Sequence, residues 1–160
     1  MKRFMLVALF IYSIGISYAQ SVWNEKTEGD LSKDDMDIVV YRSPTCGCCG
    51  KWLAHLNAHG FDVTDNIIDD VQEIKNQHGV ISSLASCHTA IVNGYVVEGH
   101  VPAGDIKTML QNKDNIKGVA VPGMVAGTPG MEVGDQRLPF KVIAFDASGQ
   151  LKVYKNYNKY

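Results

Sequence analysis

Three of the chain's four cysteines fall within four residues, Cys46-Gly47-Cys48-Cys49, and the fourth, Cys87, stands beside His88. Thiolates are nucleophiles and soft metal ligands, so what matters is whether the surroundings favour thiolate over thiol. The run Asp37 to Tyr41 is β-branched and aromatic, Ser43-Pro44 ends it, and Lys51 to Leu56 carries apolar residues at helical spacing. The cysteines are therefore expected at a helix N-terminus, where unpaired N–H groups and the helix dipole lower a thiol's pKa. The plainer alternative is a structural disulfide between two of the three, although such near neighbours close almost no loop.

Further donors lie downstream. Thiolate and thioether ligands select Cu(I), whereas imidazole accepts Cu(I), Cu(II) and Zn(II) alike. The candidate ligand set is Cys46, Cys48, Cys49, Cys87 and His88, with Met124 and Met131 in a Gly/Pro-rich segment and His100 before a helix start. Three thiols in four residues crowd a single ion, and bridging thiolates shared among several Cu(I) ions relieve the crowding. A multinuclear cluster is the expectation. Each candidate also has a plainer role: Cys87 as a buried core thiol, His88 as a partner of a backbone group, Met124 and Met131 as gap fillers, His100 as surface polarity or a cap. His55 and His59 have i, i+4 spacing, but they project beside Trp52, Leu53 and Leu56, away from the cysteines, and read as solvated. His78 reads as a surface residue at a helix end. Structural zinc or an iron–sulfur centre has enough cysteines in number, but lacks the two separated Cys-x-x-Cys knuckles zinc prefers.

Residues 1–19 read as a secretory signal: Lys2 and Arg3, an apolar stretch from Phe4 to Ile16, and Ser17-Tyr18-Ala19 as a small-x-small cleavage site. That stretch is too short to span a bilayer. Export places the cysteines in an oxidising compartment, where a cluster kept reduced needs bound metal or redox cycling. The formal charge of −2 becomes more negative once Lys2 and Arg3 are removed, which points to neither nucleic acid nor a membrane surface as partner. Residues 20–36 are polar and weakly periodic and read as a loose N-terminal arm, with a short helix around Asp30 to Asp35 as the alternative. Residues 37–160 form a single domain.

Within that domain, Gly60 stops the first helix, Phe61 to Thr64 alternates as a strand, and Asp70 to Lys75 reads as a second helix ending near Gly79. Thr89 to Val92 and Tyr95 to Glu98 flank Asn93-Gly94, a type I′ hairpin signal. Pro102 to Asn112 follows as a third helix. The order β-α-β-α-β-β-α implies a mixed α/β sheet flanked by helices. Pro139 to Asp146 and Gln150 to Tyr154 read as a C-terminal hairpin that extends the sheet edge and carries the Pro122 to Met131 loop over the cysteines as a lid.

The Cys46-x-x-Cys49 frame after the first strand and the Asn93-Gly94 hairpin resemble the thioredoxin-like superfold. Proteins of that fold carry a cis-proline before the third strand, and here His88 occupies the place, next to Cys87. A closer resemblance rests on four motifs in order: Cys46 to Trp52, Ser86 to Ala90, Gly94 to Pro102 and Val119 to Met124. Together they resemble the exported copper-resistance proteins of the CopG type. The resemblance implies a periplasmic copper-handling protein of a Gram-negative bacterium with a thioredoxin-like core. The expected function is Cu(I) binding for copper resistance, with copper redox as a further activity in which Cys46 and Cys49 take part, and with a periplasmic copper-transfer or redox protein as partner. The alternatives are a copper chaperone or buffer without redox activity, and a thiol–disulfide oxidoreductase using Cys46 and Cys49.

Overall fold

The computed structural model describes Trp23 and residues 31–160; the signal expected at 1–19, and residues 20–22 and 24–30 of the expected arm, lie outside the described residues. A single 3₁₀ turn, Asp34–Met36, leads into strand β1, Asp37–Arg42, which buries Ile38 and Val40. Helix α1, Cys49–Ala58, buries Cys49, Trp52, Leu53 and Leu56, the i, i+3, i+4, i+7 stripe of a helix laid on a sheet. Gly60 at φ +87° turns the chain into β2, Asp62–Ile67, which runs parallel to β1 and is longer than the alternation in the sequence marks.

Helix α2, Val71–His78, starts at the Asp70 carboxylate, which accepts the N–H groups of Gln72 and Glu73, and ends at Gly79 in the left-handed region. Strands β3, His88–Val92, and β4, Tyr95–Glu98, form the expected hairpin, with Asn93 at φ 46° and Gly94 at φ 82°. Helix α3, Ala103–Asn112, packs Ile106, Met109 and Leu110 into the core. It crosses to β5, Gly118–Ala120, which pairs parallel to β4. Strands β6, Phe140–Phe145, and β7, Leu151–Tyr157, then complete a seven-stranded sheet in the order β2-β1-β3-β4-β5-β6-β7.

This is the thioredoxin-like α/β arrangement with a C-terminal hairpin extension. The hairpin joins through β5, a strand the sequence order omitted. Gly118-Val119-Ala120 is too short for its own alternation to register, and its strand character comes from ladders to β4 and β6. The one described residue among 20–30, Trp23, is 2% exposed, with its ring against Phe140, Tyr157 and Tyr160. No helix among the described residues is long and apolar enough to cross a membrane.

Candidate metal centre

The turn between β1 and α1 delivers the three clustered cysteines, and the start of β3 delivers Cys87 and His88 opposite them. Cys48 takes the N-cap position of α1, and Cys49 opens the helix fully buried. Because β1 pairs with β3 in the register Arg42↔His88, the end of one strand and the start of the other are fixed side by side. Cys87 Sγ lies 2.9 Å from Cys46 Sγ, 3.5 Å from Cys49 Sγ and 4.0 Å from Cys48 Sγ. Four sulfurs thus meet at one point.

Cys46 and Cys49 are joined as a disulfide, with Cα atoms 5.6 Å apart. The plainer alternative for the cysteine run is thus the state present, and in it neither sulfur is a thiolate ligand. The four-thiolate set expected from sequence belongs to the reduced form. Cys48 and Cys87 are free and partly exposed, so Cys87 is not a sealed core thiol.

Two fully buried imidazoles face the sulfurs. His88 Nε2 is 3.0 Å from the Gly99 carbonyl, to which it donates. That assigns the proton to Nε2 and leaves the Nδ1 lone pair toward Cys49 Sγ at 3.3 Å and Cys87 Sγ at 3.8 Å. The ring lies on Trp52, centroids 4.4 Å apart. His100 Nδ1 donates to the Pro129 carbonyl at 2.7 Å, while its buried Nε2 has no hydrogen-bond partner. The surface or capping role considered for His100 is therefore overturned: it is buried beneath the 129–130 segment. Gly130 makes that cover possible, because a Cβ there would stand 2.6 Å from the Trp52 backbone nitrogen.

Ligand atoms of Cys46, Cys49, Cys87 and His88 all lie within 4.8 Å of one another, and so do those of Cys48, Cys87 and His100. Thiolates about 2.3 Å from a tetrahedral ion sit about 3.8 Å apart, so small shifts bring either group to ligating geometry. Burial, then His100, pushes His88 down to about 3, so its imidazole is neutral, the ligating form, at ordinary pH. Burial lowers His100 as well, against the Pro129 hydrogen bond that raises it. Burial, followed by the neighbouring Cys48, pushes the Cys87 thiol up to about 11. A bound cation reverses that by displacing the proton. An orphaned buried imidazole nitrogen beside free thiols is what a soft metal ion would satisfy.

Behind the ligands stands a polar network for which the sequence holds no local signal. Lys75 Nζ donates to Glu98 Oε1 at 2.7 Å, to Thr89 Oγ1 at 2.8 Å and to the His88 carbonyl at 3.3 Å. Ser86 donates through both N–H and Oγ to the same carboxylate. Lys75 and Glu98 are 4% and 0% exposed, so the pair fixes the Ser86-Cys87-His88 turn from within. Glu98 faces Thr89 across the hairpin, which placed it inward, but its partner is 23 residues away.

Met124 is 50% exposed and Met131 is partly buried at the end of its loop. His55 and His59 are partly buried rather than solvated. His55 Nε2 accepts the Ala103 N–H at 3.0 Å, and the His59 ring nitrogens lie 2.7 Å from the His55 carbonyl and 2.6 Å from that of Trp23. They tie α1 to the start of α3 and to Trp23.

Fold and site together define a thioredoxin-like protein whose Cys-x-x-Cys frame lies within a cluster of soft donors that could hold a metal ion. A family described as "Protein of unknown function, DUF411" matches residues 84–131, which hold Cys87, His88 and His100. A solved structure named "Copper resistance protein copG- Form 2" is 45% identical, with a TM-score of 0.73, over 76% of this chain and 97% of its own. A second, "Copper resistance protein copG- Form 1", is 43% identical, with a TM-score of 0.74, over 78% and 99%. No match was found among curated proteins. The chain belongs to the CopG family of copper-resistance proteins.

Proposed function

We propose that this protein serves copper resistance in the periplasm by binding Cu(I) at Cys46, Cys48, Cys49 and Cys87, with His88 and His100 completing the shell. Residues 1–19 act as the export signal and 37–160 as the copper-binding domain. The observation that carries the reading is the meeting of four sulfurs with two buried imidazoles, each presenting a bare nitrogen. Reduced, the set offers more soft donors than one ion uses, so several Cu(I) ions share bridging thiolates. Met124 or Met131 adds a thioether when the loop closes.

Copper cycling between Cu(I) and Cu(II), with the Cys46–Cys49 pair as electron reservoir, is the redox part of the proposal. Copper titration of the reduced protein, counted by elemental analysis, tests the reading. More than one copper per chain is expected, falling sharply in Cys46→Ser/Cys49→Ser. Less than one copper per chain, or binding unchanged in that variant, would contradict it.

Thiol–disulfide exchange is the second reading, favoured by Cys87 lying 2.9 Å from a sulfur of the disulfide. His88, in place of the residue that positions a disulfide substrate, and the extra Cys48 weigh against it. Reduction of insulin by the copper-free protein at a thioredoxin-like rate would favour this reading; copper leaving in unchanged valence with no thiol chemistry would favour a chaperone or buffer.

A further inference from the structure

The two donor groups differ in what the disulfide does to them. Disulfide sulfurs carry no charge and bind metals poorly, so the Cys46–Cys49 bond reduces the first group to Cys87 and His88. The second group, Cys48, Cys87 and His100, contains neither bonded sulfur and stays within 4.8 Å with the disulfide in place. Its imidazole is held from outside the cysteine turn: His100 follows the hairpin, and Pro129 fixes its ring through Nδ1. Its Nε2 is buried and without a partner in the disulfide-bonded state itself. An acceptor left bare in the interior is a cost unless something fills it. Cys48 and Cys87 are both partly exposed, which gives an ion a way in.

We infer that the oxidised protein keeps a single Cu(I) at Cys48, Cys87 and His100, so that disulfide formation lowers the copper capacity instead of abolishing it. The inference rests on the copper-binding reading above and adds its regulation. Two thiolates and one imidazole give a three-coordinate soft site, suited to one Cu(I). In the copper-loaded chain Cys46 and Cys49 are thiolates and carry no protons. On oxidation they lose two electrons and form the S–S bond, while an external disulfide accepts the electrons, takes two protons from water and becomes a dithiol. Metal bound by the first group is thereby released, and one ion remains on the second.

The test uses the full mature chain in two states, reduced and disulfide-bonded, the latter verified by mass mapping of the 46–49 bond. Both are loaded anaerobically with excess Cu(I) and stripped with bicinchoninate. Expected are one copper per chain in the oxidised form and more than one in the reduced form, with His100→Gln and Cys48→Ser each weakening the oxidised form's copper at least tenfold. Should either variant fold poorly, Cys46→Ser/Cys49→Ser removes the first group without touching the second and is expected to keep one copper. A reduced protein that loads copper beside an oxidised one that holds none would overturn this inference alone. So would retained copper indifferent to both His100→Gln and Cys48→Ser. An oxidised form that holds one copper while the reduced form holds no more would overturn the multinuclear reading and, with it, the loss of capacity on oxidation, while leaving the site at Cys48, Cys87 and His100 standing.

Discussion

Two pairs of histidines lie on opposite sides of the chemistry of this fold. At the C-terminal end of α1, His55 and His59 have ring centroids 4.2 Å apart; near its N-terminal end, His88 and His100 are 5.1 Å apart. Burial depresses His55 and His88 alike, each to about 3. Proximity and burial therefore do not separate them. What separates them is where the nitrogens point. His55 spends its free lone pair on the Ala103 N–H, and both nitrogens of His59 face carbonyl oxygens. His88 uses Nε2 on a carbonyl and turns Nδ1 toward sulfur, while His100 uses Nδ1 on a carbonyl and leaves its buried Nε2 without a hydrogen-bond partner. One pair fastens helices, and the other keeps nitrogens open for the copper site proposed above.

The largest expected effect breaks the ligating side at its shared atom. Cys87 belongs to both donor groups, so Cys87→Ser should reduce Cu(I) retained after chelator challenge to a small fraction of the parent's, whereas His55→Gln should leave the copper count unchanged. Equal losses in the two variants would erase the distinction drawn here.

Next comes the support beneath the ligands. Glu98→Gln leaves the Lys75 ammonium buried without its carboxylate, an imbalance that costs about 3–5 kcal/mol. Urea unfolding should show it, and copper affinity should fall about 10–100-fold as the Ser86-Cys87-His88 turn loosens. A stability loss under about 1 kcal/mol would mean that water reaches the pair.

The smallest effect probes the fastening side through pH. Folded His55 sits near 3 and the unfolded residue near its ordinary 6.5, so between these values the unfolded chain binds the extra proton. The stability this group contributes is complete above about pH 6.5 and is lost as pH falls toward 3. His55→Ala should cost about 1 kcal/mol at pH 7, by loss of the contact to Ala103, and less at pH 4. Denaturation curves at the two pH values check it; an unchanged pH slope would remove His55 from the acid response.

Much of the fold could be read locally. Asn93-Gly94 marked the hairpin through its positive φ angles, Asp70 and Gly79 bounded α2, and the 49-52-53-56 stripe marked α1. β5 escaped because three residues acquire strand character only from neighbours on both sides. At the site, the sulfurs were legible because their types and spacing carry the chemistry, and Cys87-His88 because they stand together. The depth of His100 was not, since its cover comes from Pro129 and Gly130, nearly thirty residues on. Nor was the Lys75–Glu98 pair: either charge alone reads as ordinary surface.

The central claim, that copper is held by thiolates gathered between α1 and β3, is tested most directly by copper K-edge X-ray absorption on the reduced, copper-loaded chain. The account predicts a Cu(I) edge, a shell dominated by sulfur with a nitrogen contribution, and copper–copper scattering that disappears in Cys87→Ser. A shell of nitrogen and oxygen alone, or a spectrum identical in Cys87→Ser, would contradict it.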